Sequence, residues 1–420
     1  MTAVRGWCPS AHRHMLSGDG LIVRIRPPMA RLDRMQGGTL AKLAREYGNG
    51  LIDVTSRGNL QVRGVTEGGF PALLAALIAA GLAPADPALE LPLTVTPFPD
   101  EAGKTAALVD ALQGKIAKLP DLPHKMGVLI DTGPERCLAD VSGDFRFERG
   151  SEDIILRADG AALGRRVTVA SAGAALVEMA HWFVETGGRD AGRMARHLAT
   201  TPLPDAWQTH APTSARPAPV PDVTKGCLGV AFGQMTADDL QDCFAQPEVA
   251  YVSITPWRLI LLRDAANRPV NLSASVTKAT SFITDADDPR QQVVACPGAP
   301  YCPQATVETR QFAGQLAPLI PRESIGAAPT LHVSGCAKGC ARTSATARVL
   351  VGRDGAFDLV LHGTPKDRPM RTGLTSGEIL EMSAWAGERD FAGAPVCVSP
   401  NRARRTGAPG AVGQKTTGER

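Results

Sequence analysis

Four cysteines in two glycine-flanked pairs constrain the fold of this 420-residue chain more than any other feature. Cys296 and Cys302 form a Cys-x5-Cys pair, and Cys336 and Cys340 form a Cys-x3-Cys pair after a gap of 33 residues. Such a pair serves in a disulfide, a zinc site, a redox thiol or half of a larger site. Structural zinc prefers roughly two to four residues between paired ligands, and small ferredoxins use Cys-x2-Cys runs. The first pair fits neither pattern well, so the spacing favours a site built from both pairs.

The composition limits the class of protein. Nine cysteines are an odd number for a disulfide framework, and in a reducing compartment clustered cysteines more often bind metal or carry out redox chemistry. The chain has no apolar run long enough to span a membrane and no signal-peptide segment in its first residues, so we expect a cytoplasmic enzyme without membrane contact. A net charge of +3 argues against a general nucleic-acid binder.

Positive charge is concentrated near the N-terminus. Residues 1–64 carry ten Lys and Arg against four Asp and Glu, a local excess of +6. This excess indicates an anionic ligand, and the alternative is a solvated basic face.

The pattern of apolar residues predicts an α+β fold that is duplicated. Residues 21–26 and 51–63 alternate like strands, and "GTLAKLAREYG" between them has helical spacing. After the proline-rich stretch 201–222 the pattern restarts, with "SITPWR" in the place of "DVTSRG". In the same way "ACPGAPYC" takes the place of "TVTPFPDE", and "LHVSGCAKGCA" that of "LPHKMGVLIDT". We therefore expect two pseudo-equivalent halves that face each other around one site.

The chemistry of an iron-sulfur cage agrees with the residues around the cysteines. A cubane cluster needs four thiolates and backbone N–H groups aimed at its sulfurs. Gly298, Gly335 and Gly339 allow the backbone to approach such a group. Lys338, between the cysteines of the second pair, would offset thiolate charge or meet an anionic ligand. The alternative is that the four cysteines pack as small buried hydrophobes.

With the strand "DVTSRGNLQVRG", the cysteine array and the two halves resemble the sulfite and nitrite reductase family. Its members hold a 4Fe-4S cluster next to a tetrapyrrole, and the resemblance extends to about residue 400. The segments "RGWCPSAHRHMLSGDGLIVRIRPP" and "FITDADDPRQQVVACPGAPYCPQA" are similar to the branch that acts in cobalamin biosynthesis. The resemblance implies an enzyme that uses dioxygen and an external electron donor to hydroxylate precorrin-3A and close a γ-lactone. The tetrapyrrole is then the substrate.

The resemblance also implies a fold of ferredoxin-like half-domains and cluster-type domains, with antiparallel and mixed sheets and helices packed on them. The expected division is 1–85, first ferredoxin-like half-domain; 86–200, first cluster-type α+β domain without cluster cysteines; 201–222, proline-rich linker; 223–285, second ferredoxin-like half-domain; 286–400, 4Fe-4S-binding α+β domain; and 401–420, disordered tail.

Residues for the tetrapyrrole carboxylates follow from the same resemblance. Arg57 matches the arginine of the family's "TTR"-type strand, and Lys125 the first lysine of its "LPRKFK"-type segment. If Asp53 to Arg63 is one strand with a bulge at Gly58, Arg57 and Arg63 share a face. Arginine pairs with carboxylates through two hydrogen bonds. Arg24 and Lys338 are further candidates, and the alternative for each is ordinary exposure on a sheet.

Two departures from the family pattern concern sirohaem. Gly127 stands where sirohaem reductases have a second lysine, and "ALELPLTVTP" has no arginine where they have "RNV". The loss of these cations argues against the alternative function, a sirohaem-dependent sulfite or nitrite reductase.

A mononuclear non-haem iron is also implied, and "CPSAHRHM" offers Cys8, His12 and His14 as its ligands. Surface histidines and a lone thiol are the alternative for this segment. The sequence identifies no general acid or base. The remaining cysteines lack partner spacing and are expected to be buried hydrophobes: Cys137, Cys227, Cys243 and Cys397.

No nucleotide-binding motif occurs in the chain. We therefore expect electrons from NADH to enter through a separate flavoprotein or ferredoxin, and we expect the chain to be a monomer. A non-enzymatic cluster or zinc protein that binds a partner is the remaining alternative class.

Overall fold

Four five-stranded sheets with helices packed against them make up the part of the chain that the structure describes. In this computed structural model that part is residues 9–382, apart from residues 91, 101, 273–275, 277–280 and 321–328. Cys397 and the tail predicted at 401–420 lie outside it.

The strands, in chain order, are β1 (Met15–Ser17), β2 (Gly20–Ile25), β3 (Arg31–Asp33), β4 (Leu51–Val54), β5 (Leu60–Val65), β6 (Leu93–Val95), β7 (Val128–Asp131), β8 (Phe145–Arg149), β9 (Ile154–Ala158), β10 (Arg165–Val167), β11 (Cys227–Val230), β12 (Gln234–Thr236), β13 (Tyr251–Ile254), β14 (Leu259–Arg263), β15 (Phe282–Ile283), β16 (Val293–Ala295), β17 (Leu331–Ser334), β18 (Thr346–Arg353), β19 (Ala356–Gly363) and β20 (Arg371–Leu374). The α-helices are α1 (Arg34–Tyr47), α2 (Phe70–Ala79), α3 (Lys104–Gln113), α4 (Val169–Glu185), α5 (Gly188–Ala191), α6 (Met194–Leu198), α7 (Ala237–Cys243), α8 (Arg310–Leu316) and α9 (Ser376–Glu381).

Two of the sheets are antiparallel and exchange a strand. The first has the order β1-β2-β5-β4-β12, and the second β15-β11-β14-β13-β3. Thus β12 from the second half pairs with β4, and β3 from the first half pairs with β13. Each exchanged strand runs into a helix with a capping box, at Asp33 for α1 and at Thr236 for α7.

A single hydrophobic core lies between the antiparallel sheets and the helices packed on them. It contains Leu40 and Val62 from the first half, and Leu240 and Val252 from the second. Helices α1 and α7 pack against each other. Gly37 on α1 makes room for Phe244, because a Cβ at that position would lie 2.1 Å from the phenyl ring. The two halves are therefore joined through their cores.

The other two sheets are mixed and have the same topology. The first mixed sheet has the order β6-β7-β8-β9-β10, and the second mixed sheet β16-β17-β18-β19-β20. In each, the first three strands are parallel and the last two pair antiparallel. This repetition confirms the duplicated α+β fold that the sequence predicts.

One predicted strand is wrong. Residues 51–63 form a hairpin, with β4 ending at Val54 and β5 beginning at Leu60. Gly58 adopts φ +64°, and its N–H donates to the Thr55 carbonyl at 3.1 Å, which reverses the chain. Glycine takes this left-handed conformation without steric cost, so the residue predicted to be a bulge forms a turn.

The segment 201–222 contains one short 3-10 helix, at Asp205–Trp207, and otherwise runs irregularly along the first mixed sheet. Trp207 is buried in the core of that sheet's unit. Single β-bridges join Gly164 to His210 and Arg136 to Ala215. No helix among the described residues has the length and apolar character needed to cross a membrane.

A buried ion network lies on one face of the first mixed sheet. The Glu148 carboxylate on β8 accepts hydrogen bonds from Arg136 Nη2 at 2.6 Å, Arg146 Nε at 3.0 Å and Arg157 Nε at 2.5 Å. Burial alone would raise the pKa of Glu148, but the hydrogen bond and charge of Arg157 and the charges of Arg146 and Arg136 lower it to about 2.

Glu148→Gln should lower the free energy of unfolding at pH 7 by about 3–5 kcal/mol, because three buried guanidinium groups would then face a neutral amide. The folded-state pKa lies below the ordinary value of 4.5, so this stabilisation is present above pH 4.5 and is lost as the pH falls towards 2. Denaturant unfolding across this pH range measures the difference between variant and wild type, which should shrink on acidification. Glu67→Gln, at an exposed position, is the control. Equal stability of Glu148→Gln and wild type at neutral pH would contradict this role.

Candidate functional site

The four cysteines of the two pairs line one cleft, which we call the cysteine cleft. Cys296 and Cys302 follow β16, and Cys336 and Cys340 follow β17. Because β16 and β17 are parallel neighbours, the loops at their carboxyl ends meet at the same edge of the sheet. All four are free cysteines. The cleft has about 1180 Å³, including space open to solvent, and its opposite wall comes from β1, β2, β4 and β5.

The backbone around the cysteines approaches the sulfurs closely. Gly335 N–H donates to Cys296 Sγ at 3.1 Å. A Cβ on Gly335 would lie 2.6 Å from the Ala305 Cβ, and a Cβ on Gly298, which has φ +69°, would lie 2.4 Å from Thr309 Oγ1. Both loops therefore require glycine to bring the thiols together.

The Tyr301 carbonyl, next to Cys302, anchors this loop to the first antiparallel sheet. It accepts hydrogen bonds from Ser17 Oγ at 2.6 Å, Gly18 N–H at 3.1 Å and Arg63 Nη2 at 3.0 Å. The turn between β1 and β2 thus fixes the position of one cysteine from outside the second mixed sheet.

The cleft disfavours the ionisation of two of its thiols, Cys302 and Cys340. Burial raises the pKa of Cys302, and the charges of Cys296 and Cys336 raise it further. Cys340 is exposed on one side, but desolvation by the atoms packed around it still raises its pKa, and the charge of Lys338 acts in the opposite direction. Four thiolates in this cleft would therefore need a bound cation, and a coordinating metal deprotonates thiols outright.

The corresponding loop of the first mixed sheet is held by side chains. The Asp131 carboxylate accepts hydrogen bonds from the N–H groups of Cys137 and Leu138, at 3.0 and 2.8 Å. Arg146, on β8, also holds this loop. Its Nη2 donates to the Leu138 carbonyl at 2.8 Å, and its Nη1 donates to the Val141 carbonyl at 2.8 Å. Charged side chains thus fasten the loop after β7 to the sheet.

The second mixed sheet replaces this network with apolar residues. Strand pairing places Val349 where the first sheet has Arg146, and Val351 where it has Glu148. Ser334, in the place of Asp131, contributes a hydrogen bond to the Cys336 carbonyl at 2.7 Å. A group bound by the cysteines would supply the attachment that Arg146 gives in the other copy.

The residues predicted to bind carboxylates fall into two places. Arg24, Arg63 and Lys338 line the cysteine cleft. Lys338 is exposed, and Arg24 lies beside Gln61, whose amide oxygen accepts from Arg24 Nη2 at 3.0 Å. Arg57, in the turn after β4, does not line this cleft and lines a second pocket instead.

The prediction for Arg63 does not fit its surroundings. Its guanidinium is buried and donates to Asp19 at 2.8 and 3.0 Å, to Asp53 at 3.0 Å, and to the Tyr301 carbonyl. With its donors used in this way, Arg63 holds the wall of the cleft and is not placed to take a ligand carboxylate.

Arg57 and Lys125 share a second pocket, between the first antiparallel sheet and the first mixed sheet. This shallow pocket has about 330 Å³ when space open to solvent is included, and Arg26 and Arg193 also line it. Arg26 is paired with Glu90 at 2.5 Å and Arg193 with Asp144 at 3.0 Å. The side chains of Arg57 and Lys125 make no hydrogen bond or ion pair with described residues, so their charges are available to an anion.

The histidines proposed for an iron do not converge. His12 Nε2 lies 2.8 Å from the Pro84 carbonyl, and His14 packs edge-on against Phe70 with 4.4 Å between ring centroids. Cys8 lies outside the described residues. Within those residues, no three His, Cys, Asp or Glu side chains lie close enough together to hold a single metal ion.

The sequence analysis missed several charged residues at the cleft. Arg258 and Arg310 line it, and Arg310 Nη1 lies 3.0 Å from Asp53 Oδ1. His332 on β17 is buried, and burial together with the charges of Arg258 and Arg342 lowers its pKa to about 4. One signal was available for Arg258: in the paired segments "SITPWR" and "DVTSRG" it stands opposite Gly58.

Comparisons with known proteins agree with this architecture. The family model "Nitrite/Sulfite reductase ferredoxin-like half domain" matches residues 14–80. A "Precorrin-3B synthase" from Sinorhizobium sp. is 30% identical over 87% of this chain and 84% of its own. A "Ferredoxin--nitrite reductase" from Synechococcus elongatus is 23% identical over 76% and 73%. The structure of Mycobacterium tuberculosis NirA superposes with a TM-score of 0.62 at 18% identity, covering 86% of this chain and 78% of NirA. These likenesses confirm the predicted fold.

Gly18→Ala should push the Cys302 loop away from the first antiparallel sheet, because its Cβ would lie 2.1 Å from the Pro300 carbonyl oxygen. We expect a loss of about 1–3 kcal/mol in the free energy of unfolding, as for other overpacked contacts, and faster proteolysis around residue 301. Gly38→Ala is the matched control, since no atom lies within 4 Å of its Cβ and alanine suits the interior of α1. A Gly18→Ala protein as stable and protease-resistant as wild type would show that this contact does not hold the loop.

Proposed function

The chain belongs to the precorrin-3B synthase branch of the nitrite/sulfite reductase family, and we propose that it converts precorrin-3A to precorrin-3B in cobalamin biosynthesis. The reaction hydroxylates the macrocycle and closes a γ-lactone. One atom of dioxygen enters the product, and the other leaves as water after taking up two electrons and two protons. The observation that carries the proposal is the position of four free cysteines in one cleft beside a pocket with two uncompensated cations.

We assign the four cysteines to a 4Fe-4S cluster. Three observations support their fit to this group. The N–H of Gly335 is aimed at Cys296 Sγ, and the cleft raises the pKa of Cys302 and Cys340. The loop after β17 also lacks the ion network that holds the corresponding loop of the first mixed sheet. When bound, the cluster supplies one-electron transfer. Gly335 and Gly298 let the backbone surround it, and Lys338 offsets thiolate charge.

The tetrapyrrole substrate would lie across the turn at residues 55–58. Thr55 and Ser56 line the cysteine cleft, and Arg57 lines the second pocket, so the turn separates the two. Arg57 and Lys125 would bind peripheral carboxylates on one side, and Arg24 and Lys338 would face those on the other. These residues orient the macrocycle and contribute no proton transfer that the structure identifies.

The local packing disfavours sirohaem as the tetrapyrrole. At Gly127, where sirohaem reductases have a lysine, a Cβ would lie 2.9 Å from the Pro92 carbonyl oxygen. A longer side chain has no room there without movement of the strand β6 segment. The pocket therefore has fewer cations for sirohaem carboxylates than the reductases have.

Electrons enter from a separate donor protein, in our proposal a flavoprotein or ferredoxin that draws on NADH. Cys340 is exposed, so a partner can approach this edge of the cluster. We further propose that the protein acts as a cytoplasmic monomer. The described residues offer no ligand set for a mononuclear iron, and we assign it none.

Anaerobically purified protein should contain about four irons and four sulfides per chain and no extractable sirohaem. Cys336→Ser should abolish the electron paramagnetic resonance signal of the reduced cluster, because the cage loses a ligand. Cys137→Ser is the matched control: it changes a buried thiol on the corresponding loop, whose pKa burial raises to about 12. Extractable sirohaem would favour a reductase, and a full signal in Cys336→Ser would remove that residue from the ligand set.

Arg57→Ala should weaken the binding of precorrin-3A roughly tenfold to a hundredfold, the range for a lost charge-assisted hydrogen bond. Absorbance titration under anaerobic conditions measures the dissociation constant without turnover. Arg353→Ala, at an exposed arginine on the second mixed sheet, removes the same charge at a distance and should leave the constant unchanged. An unchanged constant in Arg57→Ala would exclude this residue from the substrate site.

A further inference from the structure

Arg258 has a backbone conformation that does not suit its side chain. It ends the turn between β13 and β14 with φ +59°. Gly58 holds the corresponding place between β4 and β5 with φ +64°, and both turns begin with a threonine whose N–H bonds back across the turn, to Asn59 and to Leu259. Glycine adopts this conformation freely, whereas arginine is strained there. The strain points to a role for the arginine side chain.

The side chain of Arg258 runs from the turn into the cysteine cleft, across the backbone of Gly233. A Cβ on Gly233 would lie 2.9 Å from Arg258 Cδ, so glycine is needed there as well. At its end, Arg258 Nη2 donates to the Ala341 carbonyl at 3.3 Å. Ala341 directly follows Cys340, and Arg258 also lines the cleft beside Cys296. One guanidinium therefore contacts the loop of Cys340 and shares the cleft with Cys296.

The positive charge of Arg258 is not neutralised by an ion pair with any carboxylate among the described residues. Asp53 instead accepts hydrogen bonds from Arg63 and Gln234 and pairs with Arg310. Burial lowers the pKa of Arg258 to about 10, and the neighbouring charge of Arg310 acts in the same direction. The group still carries its proton at neutral pH, within electrostatic range of the Cys296 thiol.

We propose that Arg258 is a positioning residue that raises the reduction potential of the cluster and fixes the loop that carries Cys340. This inference rests on the cluster proposed above. The four cysteines would hold a cluster that takes up one electron from the donor protein, so the group and its thiolates would gain one negative charge. The guanidinium of Arg258, which shares the cleft with Cys296, would stabilise that charge without any proton transfer, because the potential of iron-sulfur sites follows local charge and hydrogen bonding.

The test is a potentiometric titration of the anaerobically purified full chain, followed by electron paramagnetic resonance. Arg258→Gly removes the charge and gives the turn the residue of its counterpart, so the backbone strain is relieved. We expect an equilibrium constant for reduction about tenfold smaller, which is ~59 mV for one electron. Arg258→Lys keeps the charge and should stay near wild type. Arg189→Gln, at an exposed arginine on α5, controls for net charge and should also match wild type.

The outcomes separate this inference from the proposed function. A wild-type protein without iron and sulfide would overturn both. A cluster-loaded Arg258→Gly protein with the wild-type potential would overturn the role of Arg258 and leave the cluster assignment standing. If the glycine variant loses iron, Arg258→Gln, which keeps a hydrogen-bonding side chain without charge, provides the same comparison of potentials. A potential in Arg258→Lys as low as in the uncharged variants would also contradict the proposal.

Discussion

Two short strands exchanged between the antiparallel sheets determine where the walls of the cysteine cleft lie. Strand β12 completes the first sheet and β3 the second, so neither sheet is complete without the other half of the chain. Asp53 on β4 sits opposite Gln234 of β12 and accepts its side-chain N–H at 3.1 Å. The same carboxylate pairs with Arg63 and, across the cleft, with Arg310 at the start of α8. One buried acid therefore links the exchanged strand to both walls of the cleft.

The two mixed sheets show how one topology has acquired two means of holding the same loop. In the first copy, charged side chains bind the loop backbone, and the desolvation of Glu148 is offset by three arginines. In the second copy, Val349 and Val351 pack with Val360 beneath a loop with two cysteines. The loop then keeps single hydrogen bonds from Ser334 and Arg258 to its backbone, in place of the charged network of its counterpart. The two copies therefore hold the corresponding loop by different means.

The sequence predicts the features that leave a periodic or chemical signature. The alternation and helical spacing of apolar residues predict the α+β class, and the paired segments predict the duplication. The spacing of the cysteines predicts that both pairs belong to one site. The hairpin at Gly58 was taken for a bulged strand because apolar alternation continues on both sides of the turn. The exchange of β3 and β12 was missed because three-residue strands have no pattern of their own, and their partners lie about 200 residues away. Arg63 was misjudged because a basic residue on a strand looks the same whether it faces ligand or a buried acid.

Duplication would be expected to give two equivalent sites. The structure shows that the place in the first mixed sheet that corresponds to the cysteine cleft is filled by side chains. The place of Arg57 in the first hairpin is taken by Trp257 in the second. Trp257 packs with Phe98 against Leu129 and Cys137, at the position that corresponds to the cysteine cleft. An aromatic side chain thus fills the space that corresponds to the cysteine cleft, and tryptophan stands there in the place of a cation. The next position of the two turns differs as well. The first turn has Gly58 there, and the second has Arg258, whose side chain lines the cysteine cleft. The two cysteine pairs, which only the second mixed sheet carries, and the residues Trp257 and Arg258 of the second hairpin therefore distinguish the two copies.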